Sequence, residues 1–166
     1  MNEAVLSLGS NLGNRGYNIG VAVKALALLP KTTVADISPL FETEPVEVPD
    51  EQNSYINCCV KLHTELQAHT LLGACLGIEA AMSRRRPYKN SPRSIDIDLL
   101  LYGSGTKVCN TRDLSLPHPR MFERAFVLVP LKYLYPDGIA LGIDFNDVYE
   151  DIDKSGVELI GDSRIN

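Results

Sequence analysis

No apolar run in this chain approaches the roughly 18 residues of a membrane-spanning helix. The first residues, Met1-Asn2-Glu3-Ala4-Val5, lack the basic and apolar regions of a signal peptide. There is no Gly-x-x-x-x-Gly-Lys-Ser/Thr phosphate loop. The glycines at 9, 13, 16 and 20 do not space as a dinucleotide fingerprint. No Gly-x-Ser-x-Gly elbow occurs either. An ATP enzyme with this sequence must therefore hold its phosphates by other means. Positive charge is also in deficit: the net charge of −5 argues against general nucleic-acid binding. None of the four cysteines, Cys58, Cys59, Cys75 and Cys109, forms a Cys-x-x-Cys pair. Buried free thiols in a reducing cytoplasm fit them better than disulfides. No linker, repeat or low-complexity stretch divides the chain. Residues 1–166 read as one soluble domain, long enough for a real core at 45% hydrophobic and 22% charged residues.

Glu3 to Leu8 reads as a first strand, followed by the turn-rich Gly9-Ser10-Asn11-Leu12-Gly13-Asn14. A helix is predicted over Tyr17 to Leu29, ended by Pro30. Thr32 to Phe41 reads as a second strand. Glu42 to Asn53, with Pro45, Pro49 and several acids, is a long loop of the kind that serves as a lid or binding element. Ser54 to Thr64 is a third strand, with Tyr55, Asn57, Cys59 and Lys61 on one face. A second helix runs from Ala68 to about Arg84. Ile95 to Tyr102 is the fourth strand. The order βαββαβ predicts an α+β, ferredoxin-like antiparallel sheet with both helices packed on one face. Beyond Gly103 the pattern predicts short strands near Val108 and Leu114–Leu116. It also predicts a helix within Phe122 to Tyr135, interrupted by Pro130, and one short helix in the tail.

The fourth strand reads Ile95-Asp96-Ile97-Asp98-Leu99-Leu100-Leu101. Alternation puts Ile95, Ile97, Leu99 and Leu101 on one face, and Asp96 and Asp98 side by side on the other. Two carboxylates that close repel, and a half-buried strand is a costly place for charge. A divalent cation such as Mg²⁺ relieves both problems, with water and substrate phosphate completing its shell. A strand with an ordinary solvated polar face also fits the pattern. Five cations precede the pair: Arg84, Arg85, Arg86, Lys89 and Arg93. A charge run is commonly a solvated surface. Beside an Asp-x-Asp it matches the division of labour in phosphoryl transfer, where acids hold metal and arginines hold phosphate. His118 lies between Pro117 and Pro119, on a rigid and exposed turn. It is either a surface histidine or a donor to a phosphate or adenine edge.

Five stretches, in order, are similar to one family. They are Leu8-Gly9-Ser10-Asn11-Leu12-Gly13, Tyr55-Ile56-Asn57, Pro92-Arg93-Ser94-Ile95-Asp96-Ile97-Asp98-Leu99-Leu100, Leu116-Pro117-His118-Pro119-Arg120-Met121 and Glu123-Arg124-Ala125-Phe126-Val127-Leu128-Val129-Pro130-Leu131. They resemble the 6-hydroxymethyl-7,8-dihydropterin pyrophosphokinases of folate biosynthesis. The resemblance implies a ferredoxin-like fold and Mg²⁺-dependent transfer of pyrophosphate from ATP to the pterin hydroxymethyl group, releasing AMP. The chain is expected to be a cytoplasmic monomer that works on these two small molecules, without nucleic acid or membrane. By the resemblance, Asp96 and Asp98 bind two Mg²⁺ ions, and Arg84, Arg86 and Arg93 are catalytic, phosphate-binding residues. Glu79, Arg84, Arg93, His118 and Arg124 would meet ATP; Thr43, Pro45, Val46, Tyr55, Asn57 and Phe126 would meet the pterin.

This chain departs from the family pattern in three places. Asn90-Ser91 stands where many members carry Trp-Gly, so the lid contact is lost or passes to Tyr88. Leu76 stands where a glutamine is usual. The segment from Glu79 to Arg93 is about one residue short of the family pattern. Two other functions use the same pattern differently. Another Mg²⁺-nucleotide enzyme on this fold, such as a cyclase or polymerase palm, would need the aspartates but not Asn57, Phe126 or the proline-flanked His118. An RNA-binding module would need a basic sheet face with exposed aromatics, which this sequence does not offer.

Overall fold

The computed structural model describes residues 1–45, 48–82, 88–89, 92–104 and 107–161. Val46, Arg84, Arg86 and Asn90 lie outside the described residues.

Two long strands form the centre, β1 (Asn2–Ser10) and β4 (Tyr55–Thr64). They pair antiparallel along their whole length, from Asn2 opposite Thr64 to Ser10 opposite Ile56. The fourth predicted strand, β5 (Asp96–Tyr102), lies antiparallel on the other side of β1. The second predicted strand is two strands, β2 (Thr32–Ile37) and β3 (Leu40–Thr43), both pairing with β4. The break falls at Ser38-Pro39, because proline has no N–H for a ladder. Ser38 bridges the gap: its N–H donates to the Cys59 carbonyl at 2.9 Å, and its Oγ accepts from the Cys59 N–H at 2.9 Å.

Helices α1 (Arg15–Ala27) and α2 (Ala68–Ala81) cover one face, as the pattern predicts. Asn14 starts α1 by accepting from the Tyr17 N–H at 3.1 Å, two residues before the expected start. Ile19 and Leu26 of α1 and Leu71 and Cys75 of α2 pack with Leu6, Leu8, Cys58, Val60, Ile97 and Leu99. The opposite face is covered in part by a third helix, α3 (Ala125–Leu134), whose Val127, Leu128 and Leu131 pack with Val5 and Cys59. Pro130 sits inside α3 instead of interrupting it. The bond it cannot make would run to the Phe126 carbonyl, in the first turn, so only the helix start is affected.

One assignment on β5 changes. Ile95, Ile97 and Leu99 face α1 and α2, but Leu101 does not. Leu6 pairs with Leu99 and Val5 with Leu101, so Leu100 is an extra, bulged residue. The bulge resets the alternation and turns Leu100 and Leu101 together toward α3. The tail also holds more than the expected helix. The short strands expected near Val108 and Leu114–Leu116 form a hairpin before α3, β6 (Cys109–Asn110) with β7 (Ser115–Leu116), and an unexpected second hairpin follows α3, β8 (Ile139–Ala140) with β9 (Ile143–Asp144). The short helix α4 (Asn146–Asp151) leads to β10 (Val157–Gly161), which adds to the sheet edge beside β3. No described helix is long and apolar enough to cross a membrane.

All four cysteines are free; Cys58, Cys59 and Cys75 are buried and Cys109 is half-buried. Burial pushes the Cys58 and Cys75 thiols up to about 12, and holds Cys59 well above its ordinary range. A thiol reagent at pH 8 is therefore expected to modify Cys109 alone in the native protein. The other three should react only with unfolding, because the thiolate is the nucleophile. Counting labelled sites by mass spectrometry, with and without denaturant, checks this; rapid labelling of Cys59 in the native state would contradict the burial.

Candidate active site

The face of the sheet opposite α1 and α2 is only partly covered by α3. What remains uncovered is polar. Ser7 and Gly9 of β1 lie between Asp98 and Asp96 of β5 on one side and Cys59 and Asn57 of β4 on the other. Strand alternation puts Ser7, Gly9, Tyr55, Asn57, Asp96 and Asp98 on one floor. A cavity of about 830 Å³ opens above it. Thr43, Pro45 and Val48 wall one side, Arg93 and His118 another, and Arg124 and Phe126 stand at the start of α3. The segment from Ile152 to Val157 closes the remaining side.

One half of the floor is an amide slot. Asn57 is buried, and its Nδ2 donates to Thr43 Oγ1 at 2.6 Å. A Cβ on Gly9 would stand 2.6 Å from Asn57 Oδ1. Glycine is thus needed at position 9 so that the carboxamide can lie over β1. An asparagine offers one donor and one acceptor in a plane, a match for an amide-like heterocycle edge. Phe126 and Tyr55 add aromatic surface beside it.

The other half is charged. Arg93 Nη1 meets Asp96 Oδ2 at 2.7 Å, and Arg124 Nη1 lies 3.7 Å from Asp98 Oδ2. Part of the positive charge that the paired aspartates need is thus supplied by the chain itself. Arg93 Nε is buried with no hydrogen-bond partner. A buried unpaired donor is costly, and an anion lodged beside it would satisfy it. Arg124 also lies over the Phe126 ring, 5.5 Å from its centroid. The N-terminal end of α3 adds partial positive charge to this wall.

The carboxylates of Asp96 and Asp98 form a hard, all-oxygen donor pair. Among the described residues no group of three or more His, Cys, Asp or Glu side chains makes a protein cage. That donor set fits Mg²⁺, which takes one or two carboxylates and keeps room for water and phosphate.

His118 is half-buried instead of exposed on its turn, because its N–H bonds the Leu100 carbonyl at 2.9 Å and docks it on β5. Burial, with the positive charges of Arg124 and Arg120, lowers its pKa against the opposing pull of Asp96. These surroundings favour the neutral imidazole. Its Nδ1 accepts from the Arg120 N–H at 3.2 Å, which leaves the proton on Nε2 as a donor.

A second cavity, about 330 Å³, lies on the far side of Asp96, Asp98 and His118. Leu72, Leu76 and Glu79 of α2 and the hairpin residues Arg112, Leu114 and Ser115 line it. Glu79 is buried, and its Oε1 accepts from the Ile97 N–H at 2.8 Å. That bond fixes α2 to β5.

The main cavity thus gathers Thr43, Pro45, Tyr55, Asn57, Arg93, Asp96, Asp98, His118, Arg124 and Phe126. Glu79 belongs to the second cavity. The expectations for Val46, Arg84 and Arg86 fall outside the described residues. Ser7, Arg112, Ser115 and the Ile152–Val157 segment have no role in the sequence-based expectations. Ser7 had a signal, since it alternates with Gly9 on a strand next to Asp98. The hairpin and tail residues had none, because nothing local says where those segments dock.

Residues 5–136 match the family described as 7,8-dihydro-6-hydroxymethylpterin-pyrophosphokinase (HPPK). A 2-amino-4-hydroxy-6-hydroxymethyldihydropteridine pyrophosphokinase from Methylorubrum extorquens is 41% identical over 160 residues, covering 96% of this chain and 99% of its own length. The enzyme of the same name from Bacillus subtilis is 38% identical, covering 78% of this chain and 76% of its own. The solved structure of Plasmodium falciparum HPPK-DHPS with SDX-DHP superposes with a TM-score of 0.68 at 15% identity. It covers 96% of this chain, and the chain spans 47% of that longer protein, so the likeness bears on the fold alone. An antiparallel α+β sheet, a floor of paired aspartates beside an amide slot, and a family match over most of its length agree: the chain belongs to the HPPK family of pyrophosphokinases.

Proposed function

We propose that the protein transfers pyrophosphate from ATP to the hydroxymethyl group of 6-hydroxymethyl-7,8-dihydropterin in folate biosynthesis, releasing AMP, and that Mg²⁺ is required. One observation carries this: the amide slot of Asn57 and the aspartate–arginine cluster share one floor, separated only by Gly9. A heterocycle in the slot and a polyphosphate on the cluster would be held side by side. Such positioning supplies a large part of the catalysis in phosphoryl transfer.

In this reading the hydroxymethyl oxygen attacks the β-phosphorus of ATP. The new O–P bond forms as the bond from that phosphorus to the oxygen bridging to the α-phosphate breaks. AMP leaves with that oxygen, and the hydroxyl proton passes to solvent. Asn57, the backbone near Thr43, Pro45 and Val46, and the rings of Tyr55 and Phe126 hold the heterocycle. Arg93 offers its uncommitted Nε to a phosphate oxygen. Arg124 and the Nε2 proton of neutral His118 face the same space. Arg84 and Arg86 are proposed as further phosphate ligands. Asp96 and Asp98 would hold two Mg²⁺ ions, which when bound offset the negative charge developing on the phosphates. The second cavity, bordered by Glu79 and Arg112, is proposed to take the adenosine end of ATP.

The 166 residues are proposed to act as one domain. The tail supports this, since β10 completes the sheet and the segment before it walls the cavity. We further propose a cytoplasmic monomer that serves these small molecules without nucleic acid or membrane.

Incubation with ATP, Mg²⁺ and the pterin should yield AMP, whereas inorganic pyrophosphate would point to a cyclase or polymerase-like reaction. Arg93→Ala should weaken nucleotide binding more than pterin binding, and Asn57→Ala the reverse. Loss of the Asn57 amide should cost on the order of 1–3 kcal/mol of pterin affinity, since the ligand edge is left unpaired. Isotherms for both ligands on both variants decide it; equal losses everywhere would overturn the two-part floor.

A further inference from the structure

Arg93 is held by its backbone as tightly as by its side chain. Its N–H donates to Asn11 Oδ1 at 2.8 Å, and its carbonyl accepts from the Asn11 N–H at 3.1 Å. Asn11 belongs to the turn after β1, and only 1% of its surface is exposed. Its Nδ2 donates to Gln52 Oε1 at 3.0 Å and to the Asn53 carbonyl at 3.4 Å. Gln52 in turn donates through Nε2 to Asp50 Oδ1 at 2.8 Å. Gln52 lies in the loop after β3, whose Pro45 and Val48 line the cavity beside the amide slot.

We propose that Asn11 and Gln52 are positioning residues for Arg93, forming a relay by which the loop on the heterocycle side sets the phosphate-binding guanidinium. This rests on the phosphate role proposed above for Arg93. A carboxamide is buried at a cost unless its donors and acceptor are used, and those of Asn11 are. The reason to bury it here lies in Arg93. That side chain keeps Nη1 on Asp96 and leaves Nε unpaired. A free arginine would relax to pair every donor or reach water. Clamping the backbone on both sides holds the side chain where Nε stays uncommitted until an anion arrives.

The relay makes an outcome that local geometry would not. Gln52 is on the heterocycle loop, yet its loss should be felt on the nucleotide side. Gln52→Ala should raise the KM for Mg-ATP about fivefold, the worth of one hydrogen bond, with a smaller change for the pterin. Gln52→Glu alone would set a second carboxylate against Asp50, so it is combined with Asp50→Asn: the double variant keeps an oxygen that accepts from Asn11 Nδ2 and gives the other oxygen an amide donor, and it should restore the nucleotide KM to within about twofold of wild type. A Gln52→Glu/Asp50→Asn variant as impaired as Gln52→Ala would overturn the route through Asn11. The second measurement needs no ligand: the Arg93 Nε–H resonance of ¹⁵N-labelled protein. It should move in Gln52→Ala and stay near its wild-type position in the Gln52→Glu/Asp50→Asn variant. An unmoved resonance in Gln52→Ala, or an effect on the pterin KM alone, overturns the relay. Wild-type protein that forms no AMP would instead sink the proposed function, and the resonance test still decides whether Asn11 and Gln52 position Arg93.

Discussion

Asp96→Ala and Asp98→Ala are each expected to lose about a thousandfold or more in turnover while the fold persists, equivalent to roughly 4 kcal/mol of transition-state stabilisation. Two effects combine at each position. The first is the loss of a hard oxygen ligand from a donor pair that has no third carboxylate among the described residues to replace it. The second is the release of an arginine. Asp96 holds Arg93 at 2.7 Å, and Asp98 stands 3.7 Å from Arg124. Removing either carboxylate therefore frees a guanidinium proposed to meet phosphate. Sequence alone suggests that losing one of two crowded carboxylates relieves repulsion; the arginine partners remove that gain. The decisive measurement is turnover across a Mg²⁺ titration, with circular dichroism to confirm the fold. Wild-type activity at saturating Mg²⁺ in either variant would sink the metal assignment.

Gly9→Ala should cut pterin affinity by on the order of tenfold or more, from roughly 1–3 kcal/mol of overpacking. The new methyl would stand 2.6 Å from Asn57 Oδ1 and 3.4 Å from the Tyr55 ring. Asn57 has nowhere to go, since it is buried and its Nδ2 is tied to Thr43 at 2.6 Å. One of two things must happen: the carboxamide turns away from the ligand, or β1 and β4 shift apart. Either spoils the slot. No atom of Asp96 or Arg93 is among the nearest neighbours of that methyl, so nucleotide binding should change little. Calorimetry with the pterin and with a non-hydrolysable ATP analogue separates the two sides. Unaltered pterin affinity in Gly9→Ala would show that Asn57 does not read the heterocycle from this position.

The fold was legible where a signal repeats along one segment. Period-two alternation marks β4 and β5, and helical spacing of Leu71 and Cys75 marks α2. It failed where one residue overrides the period. Pro39 splits a strand by lacking a donor, and the Leu100 bulge turns Leu101 to the other face. Neither event changes the hydrophobic pattern, so the pattern cannot report it. The strand β10 was invisible for another reason: an edge strand of five residues exists because β3 is there to pair with it.

The candidate site divides in the same way. Sequence by itself determined which chemistry is present: two aspartates on one strand face, arginines just before them, a proline-framed histidine, and an asparagine two residues after a tyrosine. Those follow from residue type and from the fixed geometry of a strand. Tertiary structure alone decided which of these meet. Pairing of β1 with both β4 and β5 puts Gly9 between Asn57 and Asp96, residues far apart in the chain. Docking of the turn after β1 against Arg93 recruits Asn11, whose sequence neighbourhood says only that a turn is present. Side chains of one strand are ordered by covalent geometry; contacts between strands depend on register and docking, which the whole core sets at once.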